Sequence, residues 1–480
     1  MSKTGNRPSA GARAAPRAGN HKAVVASPRT PTSRRDAAEA IGADEIEGLL
    51  GPSLSGFRCI IVGVSGGVDS VALMHLAALW CKRRGHRAPR LVAATVDHRL
   101  RAESAAEAAA VGVMAAALGI EHHILPWTGP KPSSGTQDAA REARYRLLGE
   151  LADRLACPPS VIALAHHRDD QAETLLMRLA RGSGIDGLAG MPPRRTLSAG
   201  SVTMVVRPLL DVPKVRLAAT LTAAGAGWIE DPSNELPRFE RVKLRKHTVT
   251  LAEAGLDNGH LALSARRLRR ALTALQSATE ELEAAAVDYH DGAYASIDHA
   301  RFEGAPEELR LRLLQRVVLA CGDRGAVPQM ARLEALLGRL MAGETAAGTL
   351  AGCLVRRSRG WITAVREAGR TGLPKLELKP GERATWDRRF DVALSPAAAE
   401  SVVVRPLAAD GWRAIREAGA VPGKPVQLRT AMLCLPSFWV GDHLAGVPQL
   451  EYLDGHLLRA RHWAISGERG PFDVRFISPV

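Results

Sequence analysis

The sequence predicts an α/β protein built on a doubly wound parallel sheet, followed by a helical segment and a small mixed α+β C-terminal domain. Three observations carry that prediction. Short apolar runs at 59–64, 91–96, 121–125 and 161–165 have the length of buried strands, and helical spacings lie between them. Such alternation joins strands in parallel, because each right-handed crossover returns the chain to the same end of the sheet. From residue 348 onward the pattern changes to short alternating runs such as Cys353-Leu-Val and Trp361-Ile-Thr-Ala-Val, which read as strands.

Residues 1–40 are rich in Ala, Ser, Pro, Gly and Arg, and the first acidic residue is Asp36. Too few large apolar side chains are present to offset the ordering entropy, so a disordered basic tail is expected. The composition also fits an organelle transit peptide, but an amphipathic pattern is missing. A short helix over 41–50 leads into the domain. The first strand, 59–64, then turns into a helix over 71–84 through Ser65-Gly66-Gly67-Val68-Asp69-Ser70. That turn leaves backbone N–H groups unpaired beside the positive end of the helix dipole. Gly66 and Gly67 remove side chains that would hold a phosphate away, while Ser65 and Ser70 add hydroxyl donors. An anion site, with a nucleotide's phosphate chain as its guest, is expected here.

No G-x-x-x-x-G-K-[ST] occurs, which argues against a P-loop kinase or GTPase. The G-x-G-x-x-G at Gly182, Gly184 and Gly187 follows a helical run, so it reads as a loop after a helix C-terminus. The second strand ends in Asp97-His98, where a nucleobase or ribose would lie in an open parallel sheet; a polar strand cap is the alternative. A helix over 103–118, the third strand and a Pro/Gly/Ser loop over 126–135 follow. Thr136 caps the next helix, on which Arg141, Arg144 and Tyr145 share one face; two guanidiniums there form a fork for phosphate or merely a basic surface. The fourth strand precedes His166-His167-Arg168-Asp169-Asp170-Gln171-Ala172-Glu173-Thr174. Asp170 and Glu173, one turn apart, suit Mg²⁺ beside a phosphate loop, or serve as N-cap and capping-box residues. Zinc is disfavoured, since H-E-x-x-H is absent and no cysteine lies nearby.

The formal net charge of +14 over 480 residues raises the prospect of a polyanionic partner, RNA or DNA first, although solvated arginines alone would also produce it. The six cysteines are scattered and suggest neither a disulfide framework nor a zinc knuckle, which fits a reducing cytoplasm. No apolar run approaches the roughly 18 residues that a bilayer span needs.

The hexapeptide Ser65 to Ser70 resembles the pyrophosphate loop of the ATP pyrophosphatase superfamily. A longer set of motifs is similar to the bacterial tRNA(Ile)-lysidine synthase family. It comprises the run from Thr136 to Tyr145, the run from Ala165 to Gly184, Gly187-Leu-Ala-Gly-Met-Pro, Arg207-Pro-Leu-Leu, Trp228-Ile-Glu-Asp-Pro-Ser-Asn and Arg241-Val-Lys-Leu-Arg245. The resemblance covers roughly residues 57–250. One departure is Val242, where the family often has Asn.

The resemblance implies a PP-loop ATPase fold of the adenine nucleotide alpha hydrolase type. It also implies an ATP- and Mg²⁺-dependent ligase that joins the ε-amino group of L-lysine to C2 of the wobble cytidine in tRNA(Ile) with a CAU anticodon. The C2 oxygen is first adenylated, giving diphosphate; lysine then displaces AMP. By motif position, Ser65, Gly66, Gly67, Val68, Asp69 and Ser70, with Asp97 and His98, would bind ATP. Asp69, Arg144, Asp170 and Glu173 would be catalytic, with Asp69 and Asp170 holding metal. Arg241 and Arg245 resemble the family's basic positions and would contact phosphate or tRNA; Arg141, the cluster Arg266, Arg267, Arg269 and Arg270, and Arg356, Arg357 and Arg359 either contact tRNA phosphates or form solvated helix and strand faces. The expected organisation is a basic tail at 1–40, a PP-loop catalytic domain at 41–245, a helical tRNA-binding domain at 246–345 and a small β-rich domain at 346–480. A cytoplasmic location is expected, and a homodimer is left open. Two alternatives stand beside this one. A tRNA cytidine thiolase, or another adenylating pyrophosphatase, would use the same loop, but the thiolase C-x-x-C is missing. A non-catalytic RNA-binding module would leave the carboxylates at 169–173 without a purpose.

Overall fold

In the first strand, β1 (Cys59–Gly63), alternate side chains enter two different cores. Ile60 and Val62 pack on one face of the sheet, Cys59 and Ile61 on the other, and all four are fully buried. That two-sided burial is why the run is continuously apolar instead of alternating. The computed structural model describes residues 25–26, 39–99, 103–129, 131–132, 136–197, 201–230, 244, 247–325, 327–343, 345–369, 372–419, 429–460 and 471–477. Most of the expected basic tail, together with Arg241 and Arg245, lies outside them. The chain divides into two compact units, 1–272 and 273–480.

In the first unit, α1 (Ala43–Leu54), β1, α2 (Val68–Arg84), β2 (Arg90–Asp97), α3 (Ser104–Ala117), β3 (Glu121–Pro126), α4 (Thr136–Leu155), β4 (Ser160–Ala163) and α5 (Arg168–Leu179) follow in turn. The edge hairpin β5 (Arg194–Thr196) and β6 (Met204–Val206) and the helix α6 (Lys214–Ala223) come next. The sheet order is β3-β2-β1-β4-β6-β5. Every neighbouring pair is parallel except β5 with β6, an antiparallel edge that the alternation of strands and helices did not announce. Strand order turns back between β1 and β4, because α4 carries the chain from the β3 edge across to the other side of β1. This is the switch point, where helices on opposite faces leave a crevice above the strand ends.

The loop after α5 agrees with the reading of Gly182 as part of a helix end: Gly182 sits at φ 66°, and its N–H donates to Leu179 O at 3.0 Å.

The second unit is largely antiparallel. The helix α7 (Asn258–Ala286), which starts in the first unit, gives way directly to the strand β7 (Val287–His290). Val287 and Tyr289 alternate with polar neighbours and pair with β8 (Tyr294–Asp298), a period-2 pattern that wins over helix continuation. Among the described residues of this unit the β structure comprises two five-stranded sheets and one three-stranded sheet. Helices Glu307–Cys321 and Met330–Ala342 cover one of them through Leu313, Leu314, Val317, Leu333, Leu336 and Leu340. The tight turn at 387–388, with both residues in the left-handed region, is fixed by a buried ion network. Asp387 accepts from Arg366 Nε and NH2 (2.9 and 3.0 Å) and from the fully buried Arg389 Nε at 2.8 Å.

Candidate active site

Residues 64–67 link β1 to α2, and only glycine fits at the bend. Gly66 has φ 90°, and a Cβ there would lie 2.7 Å from Ile229 Cδ1. Ile229 N donates to Gly66 O at 2.9 Å and holds the bend from outside. Gly67 is the N-cap of α2 at φ −69°, and a Cβ there would meet only Ser65 Oγ at 3.8 Å. Ser70 Oγ accepts from Ser65 N (3.1 Å) and donates to Gly67 O (2.9 Å), which closes the loop upon itself. The bend therefore presents backbone N–H groups with no side chain in front of them, at the positive end of α2.

Above it lies a cavity of about 500 Å³ at the carboxyl ends of β1, β2 and β4. Ser65, Gly67, Asp69 and Ser70 line it together with Asp97, His98, Arg144, His166 and Lys214. The volume suits a nucleotide. Asp97 is buried and accepts from Arg99 N (2.9 Å) and Ser104 Oγ (2.7 Å), so it shapes the rim as a turn-holding carboxylate. His98 packs edge-on against Trp127 at 5.9 Å, and its buried Nδ1 has no hydrogen-bond partner among the described residues. Burial, then the Arg144 guanidinium, pushes its pKa down to about 4, so the ring is neutral at pH 7.

Asp69 is the pivot of the charge arrangement. Its Oδ2 lies 3.4 Å from Nε2 of the buried His167 and 3.6 Å from Lys214 Nζ. His167 also approaches Asp169 Oδ2 (3.4 Å) and Asp170 Oδ2 (3.5 Å). Burial alone would discharge this imidazole; the carboxylates of Asp169, Asp69 and Asp170 around it outweigh burial and raise its pKa to about 10. Asp69 Oδ1, by contrast, is buried with no hydrogen-bond partner among the described residues. One unengaged carboxylate oxygen beside a phosphate loop is what Mg²⁺ takes from a protein when phosphate and water complete its octahedron, so the residues fit that ion. No group of three or more His, Cys, Asp or Glu among the described residues is arranged to hold a metal by itself.

Of the residues expected in the site, Arg144 lines the cavity, whereas Asp170 and Glu173 do not. Asp170 accepts from His167 N at 3.1 Å, which places it at the start of α5 and behind His167. Glu173 is buried one turn further along.

Known proteins compare as follows. A family model described as a PP-loop domain matches residues 39–252. The chain is 43% identical over 342 residues to tRNA(Ile)-lysidine synthase of Bradyrhizobium sp., spanning 67% of this chain and 93% of that one. It is 46% identical over 299 residues to the enzyme of that name from Rhodopseudomonas palustris (62% and 84%) and 39% identical over 399 residues to that from Ruegeria pomeroyi (82% and 88%). The chain belongs to the tRNA(Ile)-lysidine synthase family. It is accordingly an ATP-dependent, tRNA-modifying ligase with ATP as a substrate. The thiolase alternative is the less supported one; none of the six cysteines, all free, lines the cavity.

Three residues of this lysidine synthase family site were missed in the sequence. Lys214 opens α6 and pairs with Asp69 at the edge of the phosphate bend. His167 was weighed only as a metal ligand, and Asp169 only as one of an acidic pair. Asp169 in fact ties α5 to α6 by accepting from Lys214 N (2.8 Å), and to α7 by accepting from Asn258 Nδ2. The one signal for Lys214 was its position three residues after Asp211 in the run that begins Arg207-Pro-Leu-Leu. Among the basic residues on α7, Arg266, Arg267 and Arg270 are exposed, whereas Arg269 NH2 donates to Ala189 O (2.7 Å) and Gly190 O (2.6 Å).

Proposed function

We propose that the cavity binds ATP with its phosphates on the Gly66–Gly67 bend, and that the chain ligates L-lysine to C2 of the wobble cytidine of CAU-anticodon tRNA(Ile). The convergence of Ser65, Ser70, Asp69, Arg144 and Lys214 on one cavity at the switch point carries this proposal. The backbone N–H groups and the Ser65 hydroxyl hold the phosphate chain, on a loop that Ser70 closes. Lys214 and Arg144, which line the same cavity, oppose the charge that builds as diphosphate leaves. Cytosine O2 is a poor leaving oxygen; joined to AMP it becomes a good one. Asp69 Oδ1, with Asp170 supporting it through His167, would hold Mg²⁺, which when bound neutralises phosphate charge. Glu173, buried behind the cavity on α5, would act on the site through its neighbours and not by touching lysine. A cytoplasmic location follows from the substrates, and sedimentation of the purified chain would decide whether it is a homodimer.

The test is incubation with labelled lysine, ATP and a CAU-anticodon tRNA, leaving out one component at a time. Label entering tRNA only in the complete mixture, with AMP released in equal amount, is the expected outcome. Label transfer without ATP, or AMP release with no label in tRNA, would refute the ligase.

A further inference from the structure

Next to the cavity, three guanidiniums surround Tyr145, a half-buried residue of α4. Arg195 on the edge strand β5 lies over the Tyr145 ring with its guanidinium carbon 4.3 Å from the ring centre, and Arg141 approaches the ring at 5.4 Å. Arg207, almost fully buried, directs NH2 at Tyr145 Oη (3.4 Å), Nε at His166 Nδ1 (3.2 Å) and NH1 at Pro192 O (2.8 Å). None of the three forms an ion pair among the described residues, and Arg195 Nε is buried without a hydrogen-bond partner. Burial would raise the Tyr145 pKa, yet Arg141, Arg207 and Arg195 together lower it, which marks how positive this spot is.

An uncompensated knot of like charges is unfavourable in an empty protein, and a carboxylate nearby would relieve it. Among the described residues no carboxylate pairs with any of the three. Arginine's planar fork matches phosphate, and the phenol supplies an aromatic face beside it. His166 belongs both to this cluster and to the ATP cavity, and Arg144, one turn from Arg141, lines that cavity.

We propose that Arg141, Arg195 and Arg207 around Tyr145 form a phosphate clamp for the RNA backbone, which seats the nucleotide to be modified over the ATP cavity. This rests on the ligase reading above. The shared chemistry is a phosphate anion, and ATP is the other source of one. The RNA is favoured because the bend, Lys214 and Arg144 already serve the nucleotide's phosphates. Of the three arginines, Arg195 and Arg207 had no role in the sequence reading.

The experiment compares Arg195→Ala, Arg141→Ala and the double variant in the full-length protein, leaving the buried Arg207 untouched. Binding of a CAU-anticodon tRNA is measured across a salt series, and the KM for ATP in parallel. The expected result is at least a tenfold loss of tRNA affinity in the double variant. The slope of log affinity against log salt should fall by about 0.7 per arginine removed, and KM for ATP should not change. Thermal unfolding should be unchanged or raised, since each substitution removes a like charge. Unaltered tRNA affinity and salt slope would overturn the clamp; a rise confined to KM for ATP would reassign it to the nucleotide. Because the readout is binding, it stands apart from the ligase test: a wild-type protein that binds tRNA but transfers no lysine would refute the reaction and leave the clamp intact.

Discussion

At the scale of single residues, the phosphate bend separates two glycines that look alike in sequence. Gly66→Ala forces an L side chain into φ 90° and against Ile229. It should cost about 2–4 kcal/mol and abolish ATP binding. Gly67→Ala has room, so it should fold normally and lose ATP affinity only because a methyl group stands before the phosphate. Calorimetric unfolding together with ATP titration checks both; equal destabilisation would show that the bend is not what distinguishes them. Lys214→Ala should raise KM for ATP about 10- to 100-fold, the worth of a charge-assisted contact, with Lys214→Arg recovering part of it. His98 provides a pH signature. Its pKa drops from 6.5 to about 4 on folding. The unfolded chain therefore takes up a proton between those values that the folded chain refuses, and the His98 contribution to stability, present above pH 6.5, is lost as pH falls towards 4. His98→Gln should flatten the melting temperature in that window relative to the wild type.

At the scale of elements, Asp169 is the fastening. Its carboxylate meets the backbone N–H of Lys214 at the start of α6 and the Asn258 side chain at the start of α7. Asp169→Asn keeps the shape but gives up charge and acceptor capacity, which should cost about 1–3 kcal/mol. Lys214 would lose its anchored start, so KM for ATP should rise as well. Hydrogen exchange at the first turns of α6 and α7 would detect the loosening; unchanged protection would mean the contact is incidental. The edge hairpin β5–β6 has its own use at this scale, because it carries Arg195 to the face of α4.

At the scale of the whole molecule, the formal charge of +14 favours association with a polyanion and makes it salt-dependent. Reversing Arg266, Arg267 and Arg270 to Glu should weaken tRNA binding and flatten its dependence on salt. Arg269→Glu should behave differently, lowering the melting temperature, because its guanidinium is spent on the carbonyls of Ala189 and Gly190. If all four reversals weaken tRNA binding alike with no change in melting, the inward role of Arg269 is wrong. Among the described residues no helix is long and apolar enough to cross a membrane.

Periodicity and glycine placement by themselves determined the parallel sheet, the order of its strands along the chain and the phosphate bend, because each is written in neighbouring residues. Runs such as 59–64 are apolar throughout since both faces of the strand are covered, and Gly66 and Gly67 sit where a strand must become a helix. The order of the motifs along the chain likewise carries the resemblance to the lysidine synthase family. Only the tertiary structure decided which charges meet. Lys214 stands 145 residues beyond Asp69 in the sequence yet lies 3.6 Å from it, and His167 is drawn among three carboxylates from two helices. Arg195, Arg207 and Arg141 gather on one ring from three separate elements. Local pattern encodes local structure, whereas these encounters depend on the order in which the sheet stacks its strands, and no window along the chain contains both partners.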